Sequence, residues 1–262
     1  MISKTIKSHD GIDLFYIISK KRKKAVFFIH GLACNHTFFK KEQKYLSQKL
    51  TTLSMDLRGH GKSGKPNTFS MDDFAKDIDD VLKKEKISSI VLIGHSLGGF
   101  IALKFAELFP KKVSSIILID SSYKLSLSTI RPFFLIFCML PCSIIDFVGW
   151  ALHKRKPGFD FSKYHHNAQI VYYSTFVIDN PSMKACIKMM RAASMEGSLS
   201  KIKAPVLIIE TKKDEIFNRF SYHFIHKKIE NSSLDILPGR HAIPVQDPKT
   251  LDRSIKAFLE KP

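Results

Sequence analysis

Residues 89–106 read Ser89-Ile90-Val91-Leu92-Ile93-Gly94-His95-Ser96-Leu97-Gly98-Gly99-Phe100-Ile101-Ala102-Leu103-Lys104-Phe105-Ala106. The apolar run before Gly94 reads as a short buried strand, and the apolar stretch after Gly98 reads as a helix. Ser96 sits on the turn between them. Reversing direction that sharply holds the serine backbone under strain and crowds the residues two before and two after it. Glycine has no Cβ, which gives Gly94 and Gly98 a steric reason to flank Ser96. The turn lifts the hydroxyl clear of the strand and sets it at a helix N-terminus, where free N–H groups favour developing negative charge. Ser96 is therefore a candidate nucleophile.

Working outward, residues 12–18 read as a strand after the turn at Asp10-Gly11, and residues 25–29 form a wholly apolar run ending in His30-Gly31. Such a run suits a strand covered on both faces. A helical stretch over 38–50 and a strand over 52–55 follow. Residues 71–84 place Phe74, Ile78, Val81 and Leu82 at amphipathic helical spacing. Beyond the Ser96 turn come strands over 113–119, 206–209 and 234–237, a helix over 220–229 and a last helix over 248–259. Strands alternating with helices imply a mostly parallel central sheet with helices on both faces.

The interval from Ile119 to Val206 is too long for one crossover, since unstructured connections rarely exceed about 15 residues. Residues 1–120 and 201–262 are accordingly expected to form the core, and 121–200 an inserted helical cap. The cap opens on Pro132-Phe133-Phe134-Leu135-Ile136-Phe137-Cys138-Met139-Leu140-Pro141 and stays apolar to Trp150. Pro141 and Asp146 interrupt it, against a spanning helix of about 20 unbroken apolar residues. A lining for an acyl pocket and an interfacial membrane contact both remain open, the second because Arg131 and Lys154-Arg155-Lys156 flank the stretch.

The chain has 262 residues, of which 42 are Lys or Arg and 24 Asp or Glu, a formal net charge of +18. A field of that size attracts anions, acidic proteins or anionic lipid. The cations fall in small groups near element ends with no nucleic-acid motif among them, so nucleic acid is not an expected partner. A lysine-rich surface, an acidic carrier protein and an anionic membrane surface stay open. The start, Met1-Ile2-Ser3-Lys4, lacks the apolar core of a secretory signal. Cys34, Cys138, Cys142 and Cys186 show neither metal-ligand spacing nor a disulfide framework, which suits a reduced, cytoplasmic setting. Cys34 reads as a small packing residue.

A serine hydroxyl needs a base to take its proton, and a histidine base needs a carboxylate to fix its tautomer. Asp214 follows the strand over 206–209, and His241 follows the last strand. Both belong to loops at the carboxyl edge of a parallel sheet, where Ser96 also emerges. Asp120, at the end of its own strand, is the rival acid. His95 is expected beneath the Ser96 turn, and His60, His165 and His166 on loops or the surface.

With Gly94-His95-Ser96-Leu97-Gly98, His30-Gly31-Leu32, Asp56-Leu57-Arg58-Gly59-His60-Gly61 and the chain order Ser96, Asp214, His241, the sequence resembles the α/β-hydrolase superfamily, in its capped serine-esterase branch. The resemblance covers nearly everything outside the cap. It implies that the backbone N–H groups of Leu32 and Leu97 form an oxyanion hole, and that the Asp56 loop is structural. It implies a serine hydrolase acting on a small-molecule or acyl ester, with no metal or organic cofactor. Thioesterase, membrane-surface lipase or lysophospholipase, carbon–carbon hydrolase and non-catalytic sensor are the alternatives. An acyl-carrier-protein methyl ester is one specific candidate substrate. The chain departs from the family pattern at Thr211 and Phe217, where a glycine and a proline are common, and at Arg240, where a glycine often precedes the base.

Overall fold

Continuous apolar runs make sense only if each strand feeds two layers, and the structure shows that they do. In the computed structural model, residues 1–19, 24–131 and 177–261 are described. The strands are β1 (Ile2–Lys7), β2 (Asp13–Ile18), β3 (Ala25–Ile29), β4 (Thr51–Met55), β5 (Ile90–His95), β6 (Val113–Ile119), β7 (Val206–Lys213) and β8 (Ser232–Arg240). They form one sheet in the order β1-β2-β4-β3-β5-β6-β7-β8. Pairing is parallel from β4 through β8, while β1–β2 and β2–β4 are antiparallel.

Ala25, Phe27 and Ile29 of β3 face one apolar core, and Val26 and Phe28 face the other. The same alternation holds in β5, where Ile90 and Leu92 oppose Val91 and Ile93. Helices α2 (Met71–Glu85) and α3 (Leu97–Leu108) cover the first face, together with α4 (Asn180–Ala192) and α5 (Arg219–Lys228). Helix α1 (Lys40–Leu46), the short α6 (Ile243–Gln246) and α7 (Pro248–Leu259) cover the second. Helix starts follow their caps: Ser70 accepts from the Asp73 amide at α2, and Asn218 accepts from the Ser221 amide at α5.

The expected elements are all present, with ends shifted by a few residues; β7 and β8 run further than their apolar centres suggest. Strand β1 lacks an apolar signature of its own, since its residues are exposed or half-buried at the sheet edge. Of the expected cap, only 121–131 and 177–200 are described. Within that part, Ile178, Met183, Cys186 and Met190 pack into the same core as α2 and α3. The apolar stretch 132–152, with Cys138, Cys142 and the basic group 154–156, lies outside the described residues. No helix among the described residues is long and apolar enough to cross a membrane.

Because β4 and β5 flank β3 on opposite sides, chain direction along the sheet reverses at β3. The crevice at the carboxyl ends of β3 and β5 is where such sheets place ligands. The residues after these two strands are Leu32 and Ser96.

One buried group outside that crevice works against the fold. Glu42, on α1, is fully buried with no hydrogen-bond partner on either carboxylate oxygen. Burial first, and the charge of Asp252 on α7, push its carboxyl well above the ordinary value of 4.5, with Lys41 opposing. A raised folded-state pKa means that the folded protein keeps a proton the unfolded chain has released, so stability falls as pH rises past 4.5. Glu42→Met, of similar volume, is expected to stabilise the protein by about 1–3 kcal/mol at neutral pH. Urea titrations at pH 4 and pH 7 should show the gain shrinking at the lower pH; equal gains would refute the burial argument.

Candidate active site

Ser96 holds the positive-φ conformation that its neighbours imply, φ +52° and ψ −117°. Its amide donates to the Ile119 carbonyl at 3.0 Å, and its carbonyl accepts from Gly99 N–H at 2.9 Å and from the Ser121 hydroxyl at 2.8 Å. These three bonds lock a strained residue between β6 and α3. Crowding explains both flanking glycines. A Cβ on Gly94 would lie 2.3 Å from the Gly98 carbonyl oxygen, and one on Gly98 would lie 2.1 Å from that of Ile29.

The loop after β3 presses against this turn. A Cβ on Gly31 would meet Ser96 Cβ at 3.3 Å and His95 Nδ1 at 2.7 Å. His30 Nδ1–H donates to the Gly31 carbonyl at 2.7 Å, while His30 Nε2 accepts from Leu57 N–H at 3.1 Å. Burial, then the neighbouring His60, lower the His30 pKa to about 3, so this tautomer stays neutral. The peptide unit is planar and trans, so pinning the Gly31 carbonyl also fixes the direction of the Leu32 N–H. The Leu97 amide opens α3, where a helix has no internal acceptor to offer.

His241 follows β8 and is gripped at three points. Its amide donates to Glu215 Oε2 at 3.2 Å, and its carbonyl accepts from His95 Nε2–H at 2.7 Å. Its Nδ1 lies 3.0 Å from Asp214 Oδ1. Asp214 Oδ1 also accepts from the amides of Ile216 at 2.7 Å and Phe217 at 3.3 Å, and Oδ2 accepts from the Tyr222 hydroxyl. Burial pushes this carboxyl upward, but the His241 charge and the bonds from His241, Tyr222 and Ile216 outweigh it and hold the pKa below the usual 3.8. An ionised Asp214 accepts from Nδ1–H, which leaves the Nε2 lone pair of His241 available to take a proton.

Asp214 and His241 are thus joined directly. The His241 ring lies 4.6 Å, centroid to centroid, from that of His95, the residue before Ser96. Asp120 is close by but holds a different partner: both its oxygens accept from Thr211, through the amide at 2.8 Å and the hydroxyl at 2.9 Å. The departure at Arg240 gains a reason here, because its guanidinium pairs with Glu215 at 2.6 Å and so steadies the carboxylate under His241. Phe217 supplies one of the amides on Asp214 and packs its ring 6.0 Å from that of His241.

The Asp56 loop is a scaffold. Asp56 accepts from His36 N–H, His36 Nδ1–H and Lys62 N–H, and the buried Arg58 pairs with Asp77 and Asp10. His60 does lie on a loop but is buried there, with its Nδ1 on the Arg58 carbonyl at 3.0 Å and its ring packed edge-on against His30. His165 and His166 lie outside the described residues. Cys34 is buried and its thiol pKa is raised by desolvation, consistent with packing.

His95, Glu215 and Tyr222 were not legible as functional positions. His95 is the most telling of them. It is fully buried, and burial and then the charge of His241 keep its pKa well below the usual 6.5, so it bonds the His241 carbonyl as a neutral ring. His95→Gln keeps a donor and His95→Leu does not. The leucine variant is expected to lose about tenfold to a hundredfold in kcat with little change in KM, with the glutamine variant recovering much of the loss. Steady-state kinetics on both would decide; equal losses would reduce His95 to packing.

Comparison with known proteins agrees with the fold. A sequence model for the alpha/beta hydrolase fold matches residues 24–136. The chain has the α/β-hydrolase fold. An uncharacterized protein of Mycobacterium tuberculosis, Rv2715, is 37% identical over 98 residues, which is 37% of this chain and only 29% of that protein. The human serine hydrolase BPHL is 26% identical across 96% of this chain and 84% of its own length. The crystal structure of the esterase RhEst1 from Rhodococcus sp. ECU1013 superposes with a TM-score of 0.80 at 18% identity, covering 100% of this chain and 99% of that one.

Proposed function

We propose that this protein is a serine hydrolase that cleaves a carboxylic ester through an acyl-enzyme intermediate. The observation that carries the reading is the Asp214–His241 pair, 3.0 Å apart, at the sheet edge where Ser96 is held at φ +52°. Ser96 attacks the ester carbonyl while His241 Nε2 takes its proton, and Asp214 stabilises the imidazolium that results. The Leu32 and Leu97 amides receive the oxyanion, a contribution of about 3 kcal/mol per donor in comparable sites. His241 then returns the proton to the departing alcohol, and water activated by the same ring releases the acid. These steps require no metal or organic cofactor.

A fluorophosphonate probe is expected to modify Ser96 stoichiometrically, with the adduct on the peptide that contains it by mass spectrometry. Labelling elsewhere, or none in a folded sample, would overturn the reading. A panel of acyl esters and thioesters of increasing chain length then sorts substrate class. The net charge of +18 favours one refinement, an acyl group delivered on an acidic carrier. Faster hydrolysis of a carrier-bound ester than of the free ester, lost at high salt, would support it, and equal rates at low salt would remove it.

A further inference from the structure

Ser96, Asp214 and His241 follow the carboxyl ends of their strands, and the opposite edge of the sheet holds a cavity of about 420 Å³ against the end of α7. Strand residues alternate between faces, and the face covered by α7 is apolar at Ile117 and Ile119 of β6 and at Leu207 and Ile209 of β7. Towards the amino ends the same face turns polar. Ser115 stands two residues before Ile117, and Ser233 of β8 is aligned with Leu207. Both line the cavity, with Phe258 and Leu259 of α7 as its apolar wall.

Ser115 is only 9% exposed, yet its hydroxyl has no hydrogen-bond partner among the described residues. The β6–β7 ladder begins one residue later, at Ile116, and Pro205 has no N–H to offer. On the other side the register passes from Ile90–Val113 to Val91–Ser115, so Ser114 is an extra, bulged residue at the rim of the same cavity. Buried hydroxyls are nearly always satisfied, and one left open to a cavity is a donor waiting for a ligand.

Charge selects the kind of ligand. Lys24 Nζ donates to the Leu259 carbonyl at 3.3 Å, and an ammonium has further donors to turn into the cavity. Lys261 also lines it and makes no ion pair among the described residues. No Asp or Glu belongs to the lining. The acids beside it in sequence, Glu230 and Glu260, are paired with Lys203 at 3.8 Å and Lys256 at 3.9 Å. Ammonium and hydroxyl donors without an anionic acceptor suit an oxyanion, and a phosphate monoester presents one more oxygen than a carboxylate.

We propose that this cavity is a binding site for a phosphate monoester with a compact apolar body, separate from the catalytic crevice. The phosphate sits among Lys24, Lys261 and the Ser115 hydroxyl, and the apolar body lies against Phe258 and Leu259. The site does not depend on the serine-hydrolase reading above, because binding there is measured without turnover.

Isothermal titration calorimetry at fixed ionic strength compares phenyl phosphate, inorganic phosphate and benzoate on the whole protein. Phenyl phosphate is expected to bind about tenfold more tightly than either of the others, which each lack one half of the ligand. Lys24→Met and Ser115→Val should each weaken it about tenfold, and Lys261→Met should weaken it in the same direction. Lys24 and Lys261 are exposed, so their variants should keep the fold, as circular dichroism can check. Lys76→Met, on the helix α2 that covers the other face, is the control and should bind as wild type does. No binding of phenyl phosphate, or affinity unchanged in Lys24→Met and Lys261→Met, overturns the site. Benzoate or inorganic phosphate bound as tightly as phenyl phosphate overturns the assigned ligand class.

Discussion

Ser96→Ala is expected to lower ester turnover by about 10⁴- to 10⁶-fold, the range seen when a nucleophile that acts as a unit with its base is removed. The loss should fall on kcat, because the change removes the attacking group and leaves the Leu32 and Leu97 amides in place. The fold should tolerate the change. The bonds that lock residue 96 run through its amide and carbonyl, and its side chain makes no contribution to them. Alanine at φ +52° inherits the strain that serine already bears, so the thermal transition should stay within a few degrees. Kinetics and a melting curve on one preparation separate the two effects. Activity that survives in a variant no longer labelled by fluorophosphonate would assign the chemistry to another group.

Much of this site could be read from the chain alone because each chemical group follows a strand with a strong local signal. Ile90–Ile93, Val206–Ile209 and Ala25–Ile29 are apolar on both faces, and the residues just beyond them must emerge at one edge of a parallel sheet. That rule brings Ser96, Asp214 and Leu32 to the edge as candidates, His241 follows β8 to the same edge, and the glycines flanking Ser96 add a steric mark. What could not be read is the set of contacts that link remote segments. His95 bonds a carbonyl 146 positions away, and Asp120 bonds an amide 91 positions away. No periodicity encodes such pairs; they exist only once strand order is known. Tyr222 is equally silent in the sequence, since an aromatic residue on an amphipathic helix reads as core until its hydroxyl is seen on Asp214. Strand β1 escaped because an edge strand needs no apolar pattern, and its exposed side chains read as loop.

Gly98→Ala is expected to be the most damaging glycine-to-alanine change among the described residues. The added Cβ would lie 2.1 Å from the Ile29 carbonyl oxygen and 2.9 Å from that of His30, both backbone atoms that cannot rotate away. Relief would require α3 and β3 to separate. β3 is held by β4 on one side and β5 on the other, with Ile29 aligned to Gly94 in the register of the turn itself. Helix propensity favours alanine over glycine by about 1 kcal/mol, so the steric term has to overcome that gain before any loss is seen. Overlap of that depth with backbone belongs to the exceptional class of about 4 kcal/mol or more, a large fraction of the 5–15 kcal/mol that holds a domain together. Chemical denaturation should show the midpoint collapsing, or no folded protein at all. Any fraction that folds should still lose turnover, because the separation that admits the methyl group also moves the Leu32 amide away from Ser96. Gly197→Ala is the control: a Cβ there meets nothing within 4 Å, and its stability and activity should match wild type. A Gly98→Ala protein as stable and active as that control would show that the packing of β3 against the Ser96 turn is looser than its geometry implies, and the oxyanion assignment of Leu32 would fall with it.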